Sequence, residues 1–170
     1  MEYEGDVVSF LERQHEELRS LMSRVLGSGG AQRQEAFDAV REMLAGHEAA
    51  EEQILRPLTR QAPDGAEEAA MRTGEEERAA EALELLEQLD VDSIAFEVQF
   101  RTLEEAVLRH AEEEETHEFP LLRRTHDPES LRRARAAVEA VERGRRPPPS
   151  GRSTFAAMLE HARGLFTHSG

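Results

Sequence analysis

Two stretches of this chain carry an apolar stripe at helical spacing that is broken, at the same point in each, by a His and a Glu four residues apart. In the first, Phe37, Val40, Leu44, His47, Glu51, Ile54 and Leu58 recur at alternating steps of three and four, the spacing of one helix face. In the second, Phe96, Phe100, Leu103, Val107, His110, Glu114, His117 and Leu121 follow the same rule. The register is shared without a gap, since His47 and His110 are each followed, ten residues on, by Pro57-Leu58 and Pro120-Leu121. A third stripe, Val8, Leu11, His15, Leu18, Met22 and Val25, is interrupted by His15. Helices built this way must pack their stripes together and must also satisfy the polar groups they bury.

That second requirement is severe, because an ionised carboxylate taken out of water costs several kcal/mol even after relaxation. No Lys or Arg lies on the stripes, and the chain contains no Lys at all. A divalent or trivalent cation is therefore the expected partner of Glu51 and Glu114, and a mixture of imidazole and carboxylate suits iron. A His and a Glu four apart share one helix face about one turn apart, so two facing helices can bracket one or two ions. A single such pair in a chain with 36 Asp and Glu is an ordinary surface feature. Two copies in register, with His15 on a third stripe, argue for a metal site. Within the acidic run Glu112 to Glu115, only Glu114 falls on the stripe.

Breakers at Gly27-Ser28-Gly29-Gly30, Pro63-Asp64-Gly65 and Asp90-Val91-Asp92-Ser93 separate four helical patterns, about Asp6 to Leu26, Ala31 to Leu58, Glu67 to Leu89 and Asp92 to Leu122. Connections this short make consecutive helices antiparallel neighbours. The expected fold is all-α, an up-down-up-down four-helix bundle over residues 1–125, with a helical C-terminal extension over 126–170. Aromatic content of 5% and the absence of β-branched runs agree with that class. In the extension, Pro128 opens a short helix to Val141, Arg145 to Pro149 reads as a linker, and Ser153 is placed to cap a last amphipathic helix from Thr154 to Phe166. That helix is expected to pack on its own bundle, with a dimer contact as the alternative.

A net charge of −15 and a pI near 4.9 set the surface against phosphate backbones and anionic membranes, so neither nucleic acid nor membrane is an expected partner. The absence of cysteine excludes disulfides, thiolate metal sites, iron–sulfur clusters and cysteine nucleophiles. The acidic start, Met1-Glu2-Tyr3-Glu4-Gly5-Asp6, leads into no secretory core, and no stretch approaches 18 apolar residues. A cytoplasmic monomer or weak homodimer is the expectation.

With His15 on the first helix and His-x-x-x-Glu followed by Pro on the second and fourth, the chain resembles the hemerythrin-like family, also called the HHE cation-binding domain. The resemblance covers about residues 6–125, and Phe155-Ala156-Ala157-Met158-Leu159 looks like the tail of bacterial members. It implies a non-haem di-iron centre, two irons per chain, that binds or reacts with dioxygen, peroxide or nitric oxide. Catalase-like or nitric oxide peroxidase-like activity is one form this takes, and iron sequestration or sensing without turnover is the alternative. By position it implies His15, His47, Glu51, His110 and Glu114 as ligands, with Glu51 and Glu114 as bridges.

The third helix departs from the family, which usually supplies a His there. Its stripe of Ala79, Leu83, Leu86 and Leu89 leads back to Glu76, followed by apolar residues at the same offsets as His15. Glu76 is the preferred substitute ligand, and Glu77, one residue away, stays open. Ala80 stands where a second helix-3 ligand would be expected. A shell rich in carboxylate favours the ferric state, which suits redox chemistry with a small oxidant better than reversible dioxygen carriage. His117 reads as a core-edge residue or spare ligand, and His126, His161 and His168 as surface residues.

Overall fold

The computed structural model describes residues 3–143 and 153–167, and within them the chain is helical with no strand. The elements are α1 (Val7–Leu26), α2 (Gly30–Ala50), a π-helical turn (Glu51–Leu55), α3 (Arg56–Gln61), α4 (Gly65–Glu87) and α5 (Ile94–Glu113). A second π-helical turn (Glu114–Glu118), α6 (Phe119–Thr125), α7 (Pro128–Arg143) and α8 (Phe155–Thr167) follow. The proposed linker from Arg145 to Pro149 lies outside the described residues.

Local chemistry sets the helix starts. Asp6 accepts from the Ser9 amide at 2.8 Å to cap α1, and Ser93 accepts from the Phe96 amide at 3.1 Å to cap α5. Before α4 the chain turns through Asp64 at φ 63°, and a Cβ on Gly65 would lie 1.7 Å from the Thr59 carbonyl oxygen. Only glycine lets α3 and α4 approach so closely.

The helices expected at Ala31–Leu58 and Asp92–Leu122 are each widened by one π turn, directly after the stripe Glu. The Arg56 amide donates to the Glu51 carbonyl, and the Phe119 amide to that of Glu114, each reaching back five residues. Pro57 and Pro120 follow immediately. In a regular α-helix their rings would meet the carbonyl four residues back, and the wider turn removes that clash. The extra residue moves the buried face by one position. Past Glu51 the buried residues are Leu55, Arg56 and Thr59, while Ile54 and Leu58 are only half-buried. Past Glu114 they are Glu118, Phe119 and Leu122, while His117 is 56% exposed. The stripe continuation read from the sequence is thus wrong beyond each Glu, and an arginine does lie inside.

The core has two parts. Leu18, Met22, Val40, Leu44, Leu83, Leu86, Phe96, Phe100 and Leu103 belong to one cluster. Val7, Val8, Leu11, Leu55, Phe119, Leu122, Leu131 and Val138 belong to the other. His15 lies between Leu11 of the second and Leu18 of the first, so a polar layer separates them. α7 packs on α1, and α8 on α2 and α4. α8 buries Phe155, Leu159 and Ala162 in the first cluster, settling it against its own bundle. The Phe155 amide donates to Glu87 at 2.8 Å, and Thr154 rather than Ser153 caps the helix, accepting from the Ala157 amide at 3.1 Å. No helix among the described residues is long and apolar enough to cross a membrane.

Candidate metal centre

The polar layer draws its side chains from α1, α2, α4, α5 and the two π turns. His47 Nε2 lies 2.8 Å from Glu51 Oε1, and His110 Nε2 lies 2.8 Å from Glu114 Oε1. His15 Nε2 is 3.2 Å from His47 Nε2 and 3.7 Å from Glu114 Oε1. Two donor sets result, His15 with His47 and Glu114, and Glu51 with His110 and Glu114, each with its atoms within 4.8 Å of one another. They share Glu114. Glu76 is buried with Oε1 3.4 Å from His110 Nε2, whereas Glu77 is exposed. Glu76 belongs to neither donor set.

Each imidazole is held from behind through Nδ1. His15 donates to Glu115 at 2.9 Å, His47 to Gln14 at 2.8 Å and His110 to Glu75 at 2.9 Å. These acceptors fix the tautomer and leave the Nε2 lone pairs pointing inward. Arg72, fully buried, holds Glu75 at 2.9 Å and Glu68 at 3.1 Å, and His15 stacks on Phe119 with ring centroids 5.8 Å apart. None of these supporting residues lies on the stripes. A signal was present nonetheless, because Gln14, Glu75 and Glu115 are each the sequence neighbour of a stripe residue.

Two imidazole lone pairs facing each other at 3.2 Å repel unless a cation or proton lies between them. Glu51 Oε1, His110 Nε2 and both oxygens of Glu114 are buried without a hydrogen bond of good geometry, despite the 2.8 Å approach of His110 to Glu114. Convergent, unsatisfied lone pairs are what a cation site presents and what a packed core avoids. Burial, reinforced by His47, holds His15 down to about 3, so it is a neutral donor. Burial and the neighbouring Glu51 charge push Glu114 up. At Glu51 burial acts the same way but is outweighed by His47, by the Glu114 carboxyl and by Arg56, which hold it well down. Burial opposes the charge on His110, but Glu114, Glu75 and Glu76 outweigh it and push the ring up.

Arg56 corrects the expectation that no basic residue enters this layer. Its Nη1 lies 2.8 Å from Glu118, its Nη2 pairs closely with Glu76, and Thr59 Oγ1 donates to Glu118 at 2.7 Å. One guanidinium among Glu51, Glu76, Glu114 and Glu118 leaves carboxylate charge for further cations to balance. Glu48, also buried, is pushed well up by burial and by Glu76 and Glu51. Together with His15, His47, Glu51, Glu76 and His110 it lines a cavity of about 20 Å³, whose apolar walls are Leu18, Leu44, Ala79, Val107, Leu108 and Ala111. That is room for one water-sized guest. A much larger open groove, against Glu12, Arg13, Glu16 and Arg135, faces solvent and touches the site's surroundings only at Glu115.

A sequence model of the hemerythrin HHE cation-binding domain matches residues 6–122. The chain belongs to the hemerythrin HHE cation-binding family. The comparisons with curated proteins and with solved structures returned no match. The match covers both donor sets and both π turns, and the converging lone pairs fit a bound cation. Outside this layer, His126 bonds Gln61 at 3.3 Å, His161 is exposed, and His168 lies outside the described residues.

Proposed function

We propose that this chain is a non-haem di-iron protein that consumes a small oxidant, hydrogen peroxide first. The observation that carries this reading is the pair of donor sets sharing Glu114 beside a small cavity with room only for a small guest. Imidazole with carboxylate suits iron, and here two carboxylates, with Glu76 beside them, join three imidazoles. The helices from α1 to α6 read as an up-down-up-down bundle around the centre. His15, His47, Glu51, His110 and Glu114 are the ligands proposed, with Glu76 from α4 beside His110.

When bound, iron supplies one-electron redox chemistry to the guest in the cavity. The chain's own residues do the rest. Gln14, Glu75 and Glu115 orient the three rings, so the donors need no rearrangement. Leu18, Leu44 and Val107 exclude bulk water. Glu48, whose carboxyl burial pushes well up, lines the cavity and would hold a proton at its wall. No nucleic acid or membrane enters this reading, and the acidic surface fits a monomer or weak homodimer in the cytoplasm.

The test is iron per chain, the visible spectrum, and dioxygen evolved from added peroxide. A pair of irons with ligand-to-metal charge-transfer bands and dioxygen release is expected. Stoichiometric zinc, or no metal after growth in iron-rich medium, would sink the reading. Full iron without peroxide turnover would favour sequestration or sensing.

A further inference from the structure

The two shared carboxylates are divided between two kinds of partner. Oε1 of Glu51 and of Glu114 faces an imidazole nitrogen at 2.8 Å. Oε2 of each faces Arg56 Nη1, at 3.5 and 3.6 Å. The same guanidinium pairs with Glu76 and, at 2.8 Å, with Glu118, which Thr59 holds from the other side. Arg56 is fully buried, at the point where α3 leaves the first π turn. A planar fork of donors is the group suited to gathering several carboxylates at once, and an ammonium is not.

We propose that Arg56 is a resident cation of the centre, a positioning residue that keeps the ligand carboxylates assembled without metal and sets the charge that incoming cations meet. This rests on the metal reading above. Without the guanidinium, the charge on this group of buried carboxylates would have no cation within the protein to balance it, and only bound metal would gather them. The same loss removes a positive charge beside the ligand oxygens, so a divalent cation is attracted more strongly. Removing the charge of Glu118 acts in the opposite sense, because it leaves more of the guanidinium's charge uncompensated.

Cobalt(II) is the probe, with its d–d spectrum, its dissociation constant and thermal unfolding with and without metal as readouts. Arg56→Met should unfold at lower temperature than wild type when metal-free, recover more on adding cobalt, and bind cobalt about tenfold tighter. Glu118→Gln should bind about tenfold more weakly. Arg56→Lys keeps the charge and should stay within about threefold of wild type, with some loss of metal-free stability. A merely structural Arg56 would instead lower both transitions equally and weaken binding. That pattern, or unchanged affinity in Arg56→Met and Glu118→Gln alike, overturns the proposal. If Arg56→Met does not fold, Glu118→Gln and Arg56→Lys still decide it by the direction of their shifts. If wild type binds no cobalt, the metal reading falls and takes this inference with it. Binding by wild type with no divergence among the variants removes this inference alone.

Discussion

His47 and His110 each place Nε2 2.8 Å from a buried carboxylate four residues later, and each loses its purpose if the ring is removed. His47→Ala and His110→Ala should each lower bound iron by at least half, as metal analysis of purified protein would read. Exchanging the half-buried Glu113 or the exposed Glu112 should change neither iron nor fold. On α4 the contrast is between neighbours. Glu76→Ala removes the buried carboxylate beside His110 and Arg56 and should lower iron retention, whereas Glu77→Ala should be silent because Glu77 is exposed. Iron lost from Glu77→Ala alone would refute this assignment. Loading should also release protons. The surroundings push both His110 and Glu114 up, His110 through the neighbouring carboxylates and Glu114 through burial and the Glu51 charge. Metal must displace the proton that this cluster holds, so apparent affinity should rise with pH. Calorimetry in buffers of different ionisation enthalpy checks this, and an affinity flat from pH 6 to 8 would contradict it. The candidate ligands were legible in the sequence because each interrupts an apolar period. Gln14, Glu75 and Glu115 were not, because a polar residue beside the stripe looks the same whether it meets water or a ring on the next helix.

The two π turns mark where legibility fails at the level of elements. Periodicity assumes a constant residues-per-turn, so one inserted residue turns Ile54, Leu58 and His117 outward and brings Leu55, Arg56, Thr59 and Glu118 in. The prolines ten residues after each His carried the relevant information, as a regular helix would not hold them comfortably there. Deleting Gln53 should return the first turn to α geometry and set Pro57 against it, costing about 3 kcal/mol. The same deletion with Pro57→Ala should recover most of that loss. Urea unfolding of the two variants measures the difference, and equal stability would show that the π turn does not relieve the proline. α8 makes a different contribution. Phe155 is fully buried against the first core cluster, while none of the ligand residues lies on α8. Phe155→Ala should therefore cost about 3 kcal/mol with iron content unchanged.

At the scale of the whole molecule, a polar layer lies between two apolar clusters, and on the proposed reading the guest's size decides what can react. The sequence showed that polar side chains interrupt three apolar stripes at one level, and so roughly where the polar layer lies. It could not show the space beside it, since a cavity is what several helices leave unfilled, and no one stripe encodes it. The walls above the imidazoles are Leu18, Leu44, Ala79, Val107, Leu108 and Ala111, around about 20 Å³. Hydrogen peroxide approaches that size, whereas an alkyl hydroperoxide carries a group the cavity cannot take without moving a helix. Wild type should therefore consume hydrogen peroxide at least about tenfold faster than tert-butyl hydroperoxide, a discrimination of about 1.4 kcal/mol or more. Ala79→Val adds two methyl groups into the space from α4. It should cost about 1 kcal/mol in stability through overpacking and leave iron content and spectrum in place, because Ala79 donates nothing to the centre. The peroxide rate should fall about tenfold. Stopped-flow consumption assays normalised to bound iron separate the outcomes. A rate unchanged in Ala79→Val, or equal rates with the two peroxides, would mean that oxidants reach the centre from another side, past His110, whose ring is the most exposed of the three at 12%.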